Sequence, residues 1–198
     1  MAKVNQVKKA YKDVLTYEGK QKLSRKETLT DNDFIVKKGE SYYWWSFRFG
    51  GKHYSKTYPK RSQLTQSDFL SQLYDLEDRI SESSAGTKDD FDSLKEEFVD
   101  EIENLSSECE DKLNNMPEQL QSSSSGETLQ ERIDALQSWS SDIESIECED
   151  YDEAELREEI KTNNENFTEE ELEEAFEEKV REIVDTALEE LKETASGL

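Results

Sequence analysis

The stretch SYYWWSFRFGGKHYSKTY, residues 41–58, decides the fold of the N-terminal part of the chain. Aromatic side chains favour strands on both sides of Gly50-Gly51. A glycine pair favours a hairpin turn, because both residues can take positive φ. A two-residue turn predicts a register with the pairs Phe49 with Lys52, Phe47 with Tyr54, Trp45 with Lys56, and Tyr43 with Tyr58. The other face of this hairpin would carry Tyr42, Trp44, Ser46, Arg48, His53, Ser55 and Thr57.

A lone hairpin is only marginally stable in water, so one of its faces must be covered. Phe34-Ile35-Val36 reads as a short strand, and we expect this strand and a helix to supply the cover. A helix over Val4 to Leu15 is predicted from apolar residues at helical spacing. The aromatic residues of the hairpin then have three interpretations: the core of a small β module, a nucleic-acid platform, or a protein-docking surface.

The rest of the chain shows helical periodicity. Thr65, Thr87, Thr128 and Thr168 each begin a sequence that resembles a capping box. The apolar stripes that follow are Phe69, Leu73, Leu76 and Ile80; Phe91, Leu94, Phe98, Ile102, Leu105, Cys109 and Leu113; Leu129, Ile133, Leu136, Trp139, Ile143 and Ile146; and Leu172, Phe176, Val180, Ile183, Ala187 and Leu191. A connector from Met116 to Gly126 predicts that two long helices form a helical hairpin.

The predicted fold class is α+β, predominantly α, with a small β-hairpin module followed by an acidic helical hairpin or bundle. The predicted organisation is a basic N-terminal segment (1–29), a basic aromatic hairpin module (30–63), an acidic helical hairpin or three-helix bundle (64–150) and an acidic C-terminal helical region (151–198). The C-terminal helix either docks on the bundle or projects from it.

Charge divides the chain in the same place. The 198 residues carry 25 Lys+Arg and 49 Asp+Glu, a net charge of −24. Residues 1–63 have a net charge of +9 and residues 64–198 a net charge of −33. Seven glycines, two prolines and two cysteines exclude collagen-like and disulfide-scaffold classes. The sequence has no apolar run long enough to span a membrane and no apolar core in residues 1–15 for a secretory signal, so a cytoplasmic protein is expected.

Nothing in the sequence singles out a catalytic centre. His53 is the only histidine, and it falls on a strand predicted to be exposed. Cys109 and Cys148 each lie in Glu-Cys-Glu-Asp, whose spacing matches no zinc pattern, and they read as reduced thiols. Any two of the many carboxylates would be an arbitrary catalytic pair. The prediction is therefore a non-enzymatic protein without cofactor or metal.

Residues 37–65 carry the motif KKGxxYYWWxFRFGGKxxSKTxPKxSQLT. This segment resembles one in uncharacterised proteins of bacteriophages and bacteria, in which Pro-Pro follows the Ser-Lys-Thr step where this chain has Tyr58-Pro59. The resemblance covers about a sixth of the chain and carries no catalytic assignment. It implies a phage or bacterial origin; if the protein is phage-encoded, the expected location is the cytoplasm of the host cell.

The acidic part predicts a protein partner. Three such helices side by side carry about one net charge per 2 Å, close to the ~1.7 Å of duplex DNA, so the part is predicted to imitate DNA and inhibit a host nucleic-acid-binding or defence protein. The candidate contacts are Glu147, Glu149, Asp150, Asp152, Glu153 and Glu155, then Glu169, Glu170, Glu171, Glu173, Glu174, Glu177 and Glu178.

Two alternatives stay open. One is an acidic coiled-coil scaffold or adaptor, including a homo-oligomer formed through the helices. The other is direct binding of nucleic acid, which the charge restricts to residues 1–63. The predicted contacts of the basic module with nucleic acid or protein are Tyr42, Trp44, Arg48, Lys52, Lys56, Lys60 and Arg61. No membrane partner is expected.

Overall fold

A computed structural model describes residues 1–24, 34–164 and 167–195. The chain divides into two compact units, Met1–Asp75 (the N-terminal unit) and Leu76–Leu198 (the helical unit). The strands are β1 (Asn5–Val7), β2 (Val14–Leu15), β3 (Ile35–Val36), β4 (Tyr42–Phe47) and β5 (Gly51–Ser55). The helices are α1 (Tyr17–Ser24), α2 (Asp68–Glu82), α3 (Lys88–Asn114), α4 (Glu118–Gln121), α5 (Ser124–Glu144), α6 (Glu153–Asn163) and α7 (Glu169–Thr194). The fold is α+β and predominantly α, as predicted.

The hairpin of β4 and β5 forms, but its predicted register is wrong. Phe47 lies opposite Gly51, and Trp45 lies opposite His53 instead of Lys56. The turn therefore contains three residues, 48–50, and Gly51 follows it with a φ of 73°. A three-residue loop followed by a left-handed residue is a common hairpin connection, and only one of the two glycines needs positive φ. The shift is an odd number of residues, so it exchanges the two faces of β5 relative to β4.

One face of the hairpin is the core of the N-terminal unit. Trp45 is fully buried. Its ring lies 5.6 Å from the His53 ring and 5.9 Å from the Tyr17 ring, measured between centroids. Tyr17 opens α1, so a helix does help to cover the hairpin. The core interpretation of the aromatic residues is therefore correct for this face.

The strand predicted to cover the hairpin pairs elsewhere. β3 forms a two-stranded antiparallel sheet with β2, in which Val36 lies opposite Val14. The third strand of the hairpin sheet is β1, which pairs with β4 at Asn5 and Trp44. The helix predicted over Val4 to Leu15 is thus wrong, because backbone pairing with the free edge of β4 outweighs a weak local helical periodicity. The predicted boundary between residues 29 and 30 lies outside the described residues.

Three long helices form the core of the helical unit. α3 and α5 pack as a helical hairpin, and α7 contacts both of them. The indole nitrogen of Trp139 on α5 donates a hydrogen bond to Thr194 Oγ1 on α7 (3.1 Å), so the last helix docks on the bundle. The predicted stripes supply most of the buried apolar residues, but Leu94, Leu113, Leu129 and Ile183 are only half-buried. Val184 and Leu188 widen the stripe of α7.

Two of the four predicted caps are correct. Thr168 and Glu171 form a reciprocal capping box, and Thr87 Oγ1 accepts from the Asp90 amide. At α2 the cap is Ser67 instead of Thr65, since Ser67 Oγ accepts from the Leu70 amide. At α5 the helix begins at Ser124, four residues before Thr128, and with α4 it makes most of the predicted connector from Met116 to Gly126 helical. No helix among the described residues is long and apolar enough to cross a membrane.

Candidate interaction surfaces

A groove of about 550 Å³ lies between the segment 147–152, α6 and α7. We call it the acidic groove, because eight carboxylates line it: Glu147, Glu149, Asp150, Asp152, Glu155, Glu159, Glu182 and Glu190. Five of these are predicted contacts, and the structure brings them together around one cavity. The predicted contact Glu153 is exposed in the first turn of α6 but is not a lining residue of the groove.

The groove combines this rim with an apolar floor. Tyr151, Leu156, Ile183 and Ala187 also line it. The Tyr151 ring packs edge-on against Phe176 with 6.5 Å between centroids, which holds the floor against α7. Such a floor would accept the methylene stem of a lysine or arginine while the carboxylates met its charged head.

Two cations already neutralise part of the groove. Lys179 Nζ lies 2.6 Å from Glu182 Oε2, and this hydrogen bond raises the pKa of Lys179 and lowers that of Glu182. Lys88 forms an ion pair with Asp150 and lowers the pKa of that carboxyl. The other three predicted contacts in the segment 147–152 are exposed and have no ion pair with any described residue: Glu147, Glu149 and Asp152.

The second predicted cluster forms a row along the start of α7, which we call the α7 row. Its members are Glu169, Glu170, Glu171, Glu173, Glu174, Glu177 and Glu178, all of them exposed. Two have structural roles. Glu171 caps the helix through Thr168, and the Thr168 amide lowers its pKa. Glu173 accepts two hydrogen bonds from Arg157 of α6, at 2.5 and 2.9 Å, which lower its pKa.

The α7 row approaches the charge density of DNA. Seven of the ten residues 169–178 are glutamates, which gives one carboxylate per ~2 Å of helix axis against one phosphate charge per ~1.7 Å of duplex. Glu170 and Glu174, like Glu174 and Glu178, are like-charged pairs at i and i+4, which destabilise a helix. The helix dipole offsets this repulsion only in the first turn. Beyond the first turn the row is a surface that opposite charge would stabilise.

The predicted contacts of the N-terminal unit do not form one surface. Tyr42 and Trp44 share a sheet face with Lys52 and Tyr54: Lys52 Nζ lies 4.6 Å from the Trp44 ring centroid, and the Tyr42 and Tyr54 rings are 5.8 Å apart. Arg48 is in the hairpin turn, 5.4 Å from the exposed Phe49 ring. The remaining three lie after β5: Lys56 and Lys60 are exposed, and Arg61 is 4.2 Å from the Tyr74 ring.

Sequence reasoning missed a pair of lysine-bearing loops at residues 8–13 and 37–40, which we call the lysine loops. Backbone hydrogen bonds join them, from the Ala10 amide to the Glu40 carbonyl (2.7 Å) and from the Gly39 amide to the Ala10 carbonyl (2.9 Å). The doublets Lys8-Lys9 and Lys37-Lys38 were the available signal. Their separation by 28 residues hid the fact that both doublets belong to one surface.

The single histidine and the two cysteines are at least half-buried. The buried Cys109 and Cys148 are free thiols, and burial raises the pKa of both. Within residues 1–24, 34–164 and 167–195, no three His, Cys, Asp or Glu side chains are arranged to hold a metal ion. His53 is half-buried among aromatic rings, which corrects the prediction that it is exposed.

Comparisons with protein-family models, with curated proteins and with solved structures gave no match to this chain.

Proposed function

We propose that the helical unit is a non-enzymatic acidic binding surface that imitates the phosphate array of duplex DNA and occupies the cationic surface of a DNA-binding protein. The observation that carries this proposal is the charge density of the α7 row, which approaches that of a duplex. The acidic groove beside it adds carboxylates that a projecting lysine or arginine would reach. Because residues 37–65 resemble phage and bacterial sequences, the expected partner is a host nucleic-acid-binding or defence protein.

The exposed surface of the helical unit favours binding by charge over binding by apolar contact. An adaptor of the coiled-coil type needs an exposed apolar stripe, whereas Leu172, Phe176 and Val180 are buried within this chain. Among the described residues of the helical unit, the exposed large apolar side chains are Leu120 and Phe167, on separate elements. Partner binding through the α7 row would also relieve its internal repulsion, which gives the interaction a favourable term that a neutral surface lacks.

The test is a pull-down from bacterial lysate with the full chain as bait, eluted first with duplex DNA and then with salt. We expect DNA to release the bound protein, because both compete for the same cations. The variant Glu170→Gln/Glu174→Gln/Glu177→Gln should retain clearly less of it. The control Glu96→Gln/Asp100→Asn/Glu103→Gln removes the same charge at the same helical spacing from exposed positions on α3 and should retain it as the wild type does.

Two results would contradict the proposal. A partner that stays bound through the DNA wash does not use its DNA-binding surface. A partner that both triple variants retain equally does not contact the α7 row. Single Glu→Gln changes along the row should weaken binding in a graded way, since a charge array has no single indispensable member.

A further inference from the structure

The lysine loops form a basic surface of fixed geometry. Besides the Ala10 hydrogen bonds, the Lys38 amide donates to Asp13 Oδ1 at 2.7 Å. Gly39 has a φ of 95°, which allows the tight turn between Lys38 and Glu40. Ala10 itself is buried, so the first loop is anchored at its centre. Side chains on these loops therefore project from a backbone that is already ordered.

The acidic residues of the lysine loops are directed to the backbone. Asp13 accepts from the Lys38 amide, and Glu40 Oε2 accepts from the Lys37 amide at 2.8 Å. The two carboxylates thus stabilise the turn that presents the lysines. The five ammonium groups belong to exposed residues and have no ion pair with any described residue: Lys8, Lys9, Lys12, Lys37 and Lys38.

An exposed aromatic ring belongs to the same loop as three of these lysines, Lys8, Lys9 and Lys12. Tyr11 lies between Lys9 and Lys12 in the sequence and is 90% exposed, the most exposed of the large hydrophobic side chains described. Other tyrosines of the N-terminal unit pack against a ring, as Tyr58 does against Tyr43 at 5.5 Å, or lie under a cation. The Tyr11 ring has no such contact with any described residue. Both of its faces are open.

We propose that the lysine loops bind single-stranded nucleic acid, with the five lysines on the phosphates and a base stacked on Tyr11. This is a second function, carried by the N-terminal unit and independent of the charge mimicry proposed above. Cations that follow the backbone and an exposed ring that accepts any base are the two parts of a single-strand binding surface. A duplex would use the lysines but leave Tyr11 without a role, because its bases are already stacked.

The alternative ligand for lysines around an exposed ring is an anionic membrane surface. Membrane binding gains from several apolar side chains that enter the acyl region together. In the lysine loops Tyr11 is the only large apolar side chain that is exposed, since the one other apolar residue of residues 8–13, Ala10, is small and buried. The local composition therefore favours phosphates with bases over phosphates with acyl chains.

The net charge of −24 does not by itself decide whether this surface binds nucleic acid. Charges farther away than the Debye length, about 8 Å at physiological ionic strength, are largely screened. The charge of the binding surface then matters more than that of the chain, and the N-terminal unit has 15 Lys+Arg against 8 Asp+Glu.

The test is fluorescence anisotropy of a labelled oligothymidylate of about 15 nucleotides, titrated with the full chain between about 50 and 200 mM salt. Tyr11→Ala should weaken binding about 5- to 150-fold without changing the salt dependence, because stacking carries no charge. Tyr11→Phe should bind as the wild type does. Lys8→Ala/Lys9→Ala/Lys12→Ala should reduce the slope of log K against log salt by about 2, since each phosphate contact on a single strand contributes about 0.7.

The control is Lys112→Ala/Lys161→Ala/Lys192→Ala, which removes the same charge from the helical unit and should leave binding unchanged. If the Lys8/Lys9/Lys12 variant and this control weakened oligonucleotide binding equally, the effect would come from the net charge alone and the proposal would be overturned. Full affinity of Tyr11→Ala would also overturn it. So would sedimentation with phosphatidylserine–phosphatidylcholine vesicles combined with no oligonucleotide binding, which would assign the surface to membranes. Circular dichroism and thermal unfolding of each variant check that its fold is intact. The variant Glu170→Gln/Glu174→Gln/Glu177→Gln should bind the oligonucleotide as the wild type does. A failure of this proposal can therefore be distinguished from a failure of the mimicry proposal.

Discussion

The imidazole of His53 packs among three aromatic rings, and that environment sets its protonation. Its centroid lies 5.1 Å from the Tyr17 ring, 5.6 Å from the Trp45 ring and 5.5 Å from the Phe47 ring. Burial lowers the pKa of His53, and the nearby charge of Lys20 lowers it further, against a smaller opposing effect of a backbone hydrogen bond at Gly50. The folded N-terminal unit therefore favours the neutral form of the imidazole over the charged form.

This depressed pKa predicts a pH dependence of stability. The unfolded chain binds a proton on His53 near pH 6.5, more readily than the folded chain does. The stability contributed by neutral His53 is thus present above about pH 6.5 and is lost as the pH falls through the lower folded pKa. His53→Phe keeps a ring in place, so its free energy of unfolding should vary less than that of the wild type between about pH 5.5 and 7.5. Urea unfolding followed by tryptophan fluorescence measures both.

Carboxylates serve as the internal reference for that experiment. The pKa values of Asp150, Glu171, Glu173 and Glu182 are lowered in the folded chain, so their contributions are lost only as the pH falls below about 4.5. Between pH 5.5 and 7.5 the difference between the two proteins then belongs to His53. Parallel pH profiles would mean that its packing does not disfavour the charged form.

The same residue marks a limit of sequence reasoning. Alternation places Trp45 on one face of β4 with Phe47, but it does not say which face is buried. Which face of β5 accompanies it depends on whether the turn has two or three residues. Gly50-Gly51 permits both, and the choice between them is made by packing against Tyr17, which is remote in sequence.

At the scale of elements, helices were predictable where their pattern is local. Each stripe repeats at helical spacing within one segment, so Phe91 to Cys109 or Leu172 to Leu191 can be recognised without knowing the partner helix. β1 was not predictable in this way. The segment Asn5 to Val7 has no strong strand signal of its own. It becomes a strand because it pairs with the edge of β4, which lies nearly 40 residues later in the chain.

The junction of α4 and α5 depends on one glycine. Gly126 is buried in the first turn of α5 against the backbone carbonyl of Gln121, and a Cβ at this position would overlap that carbonyl. The helix can begin as early as Ser124 only because this side chain is missing. A backbone atom cannot move aside as the end of a flexible side chain can.

We therefore expect Gly126→Ala to lower the free energy of unfolding by about 1–3 kcal/mol, as overpacking does, despite the better helix propensity of alanine. Chemical unfolding monitored by far-ultraviolet circular dichroism gives the value. Gly86→Ala is the matched control, since its Cβ would meet only Asp90 Oδ2 at 3.7 Å, an ordinary contact. A Gly126→Ala protein as stable as this control would show that the junction is not tightly packed.

At the scale of the molecule, charge is divided between the two units. The N-terminal unit has a net charge of +7, and the helical unit, with 10 Lys+Arg and 41 Asp+Glu, has a net charge of −31. The ion pairs seen among the described residues of the helical unit are at least partly exposed, such as Arg79 with Glu97 at 2.6 Å, and 10 cations cannot neutralise 41 carboxylates. Repulsion among carboxylates therefore outweighs what these pairs contribute, and it opposes the compact state.

This imbalance predicts that salt stabilises the helical unit. The midpoint of thermal unfolding, followed by circular dichroism, should rise between about 20 mM and 0.5 M sodium chloride, because screening weakens the repulsion more than it weakens the pairs. Glu170→Gln/Glu174→Gln/Glu177→Gln should begin with a higher midpoint at low salt and gain less from added salt. A midpoint that falls with salt would mean that the ion pairs dominate.

The candidate surfaces were predictable in composition and not in shape. The acidic residues can be counted from the sequence, yet the acidic groove exists because α6 packs on α7 through Arg157 and Glu173, which are 16 residues apart. Likewise the lysine doublets are visible in the sequence, whereas the hydrogen bonds at Ala10 that join them are not. In both cases, contacts between residues distant in sequence bring segments of like charge next to each other.

The two buried cysteines allow local opening of the helical unit to be measured by the rate of thiol modification. Cys109 is buried near the C-terminal end of α3, whereas Cys148 is buried in the segment 147–152 beside the acidic groove, and they are the only thiols of the chain. Because a buried thiol reacts only when its surroundings open, the rate at which each sulfur is modified records the opening of a different place. Replacing one of them by serine would leave a single thiol, so that Cys109 alone would report the opening of α3 and Cys148 alone the opening of the segment 147–152.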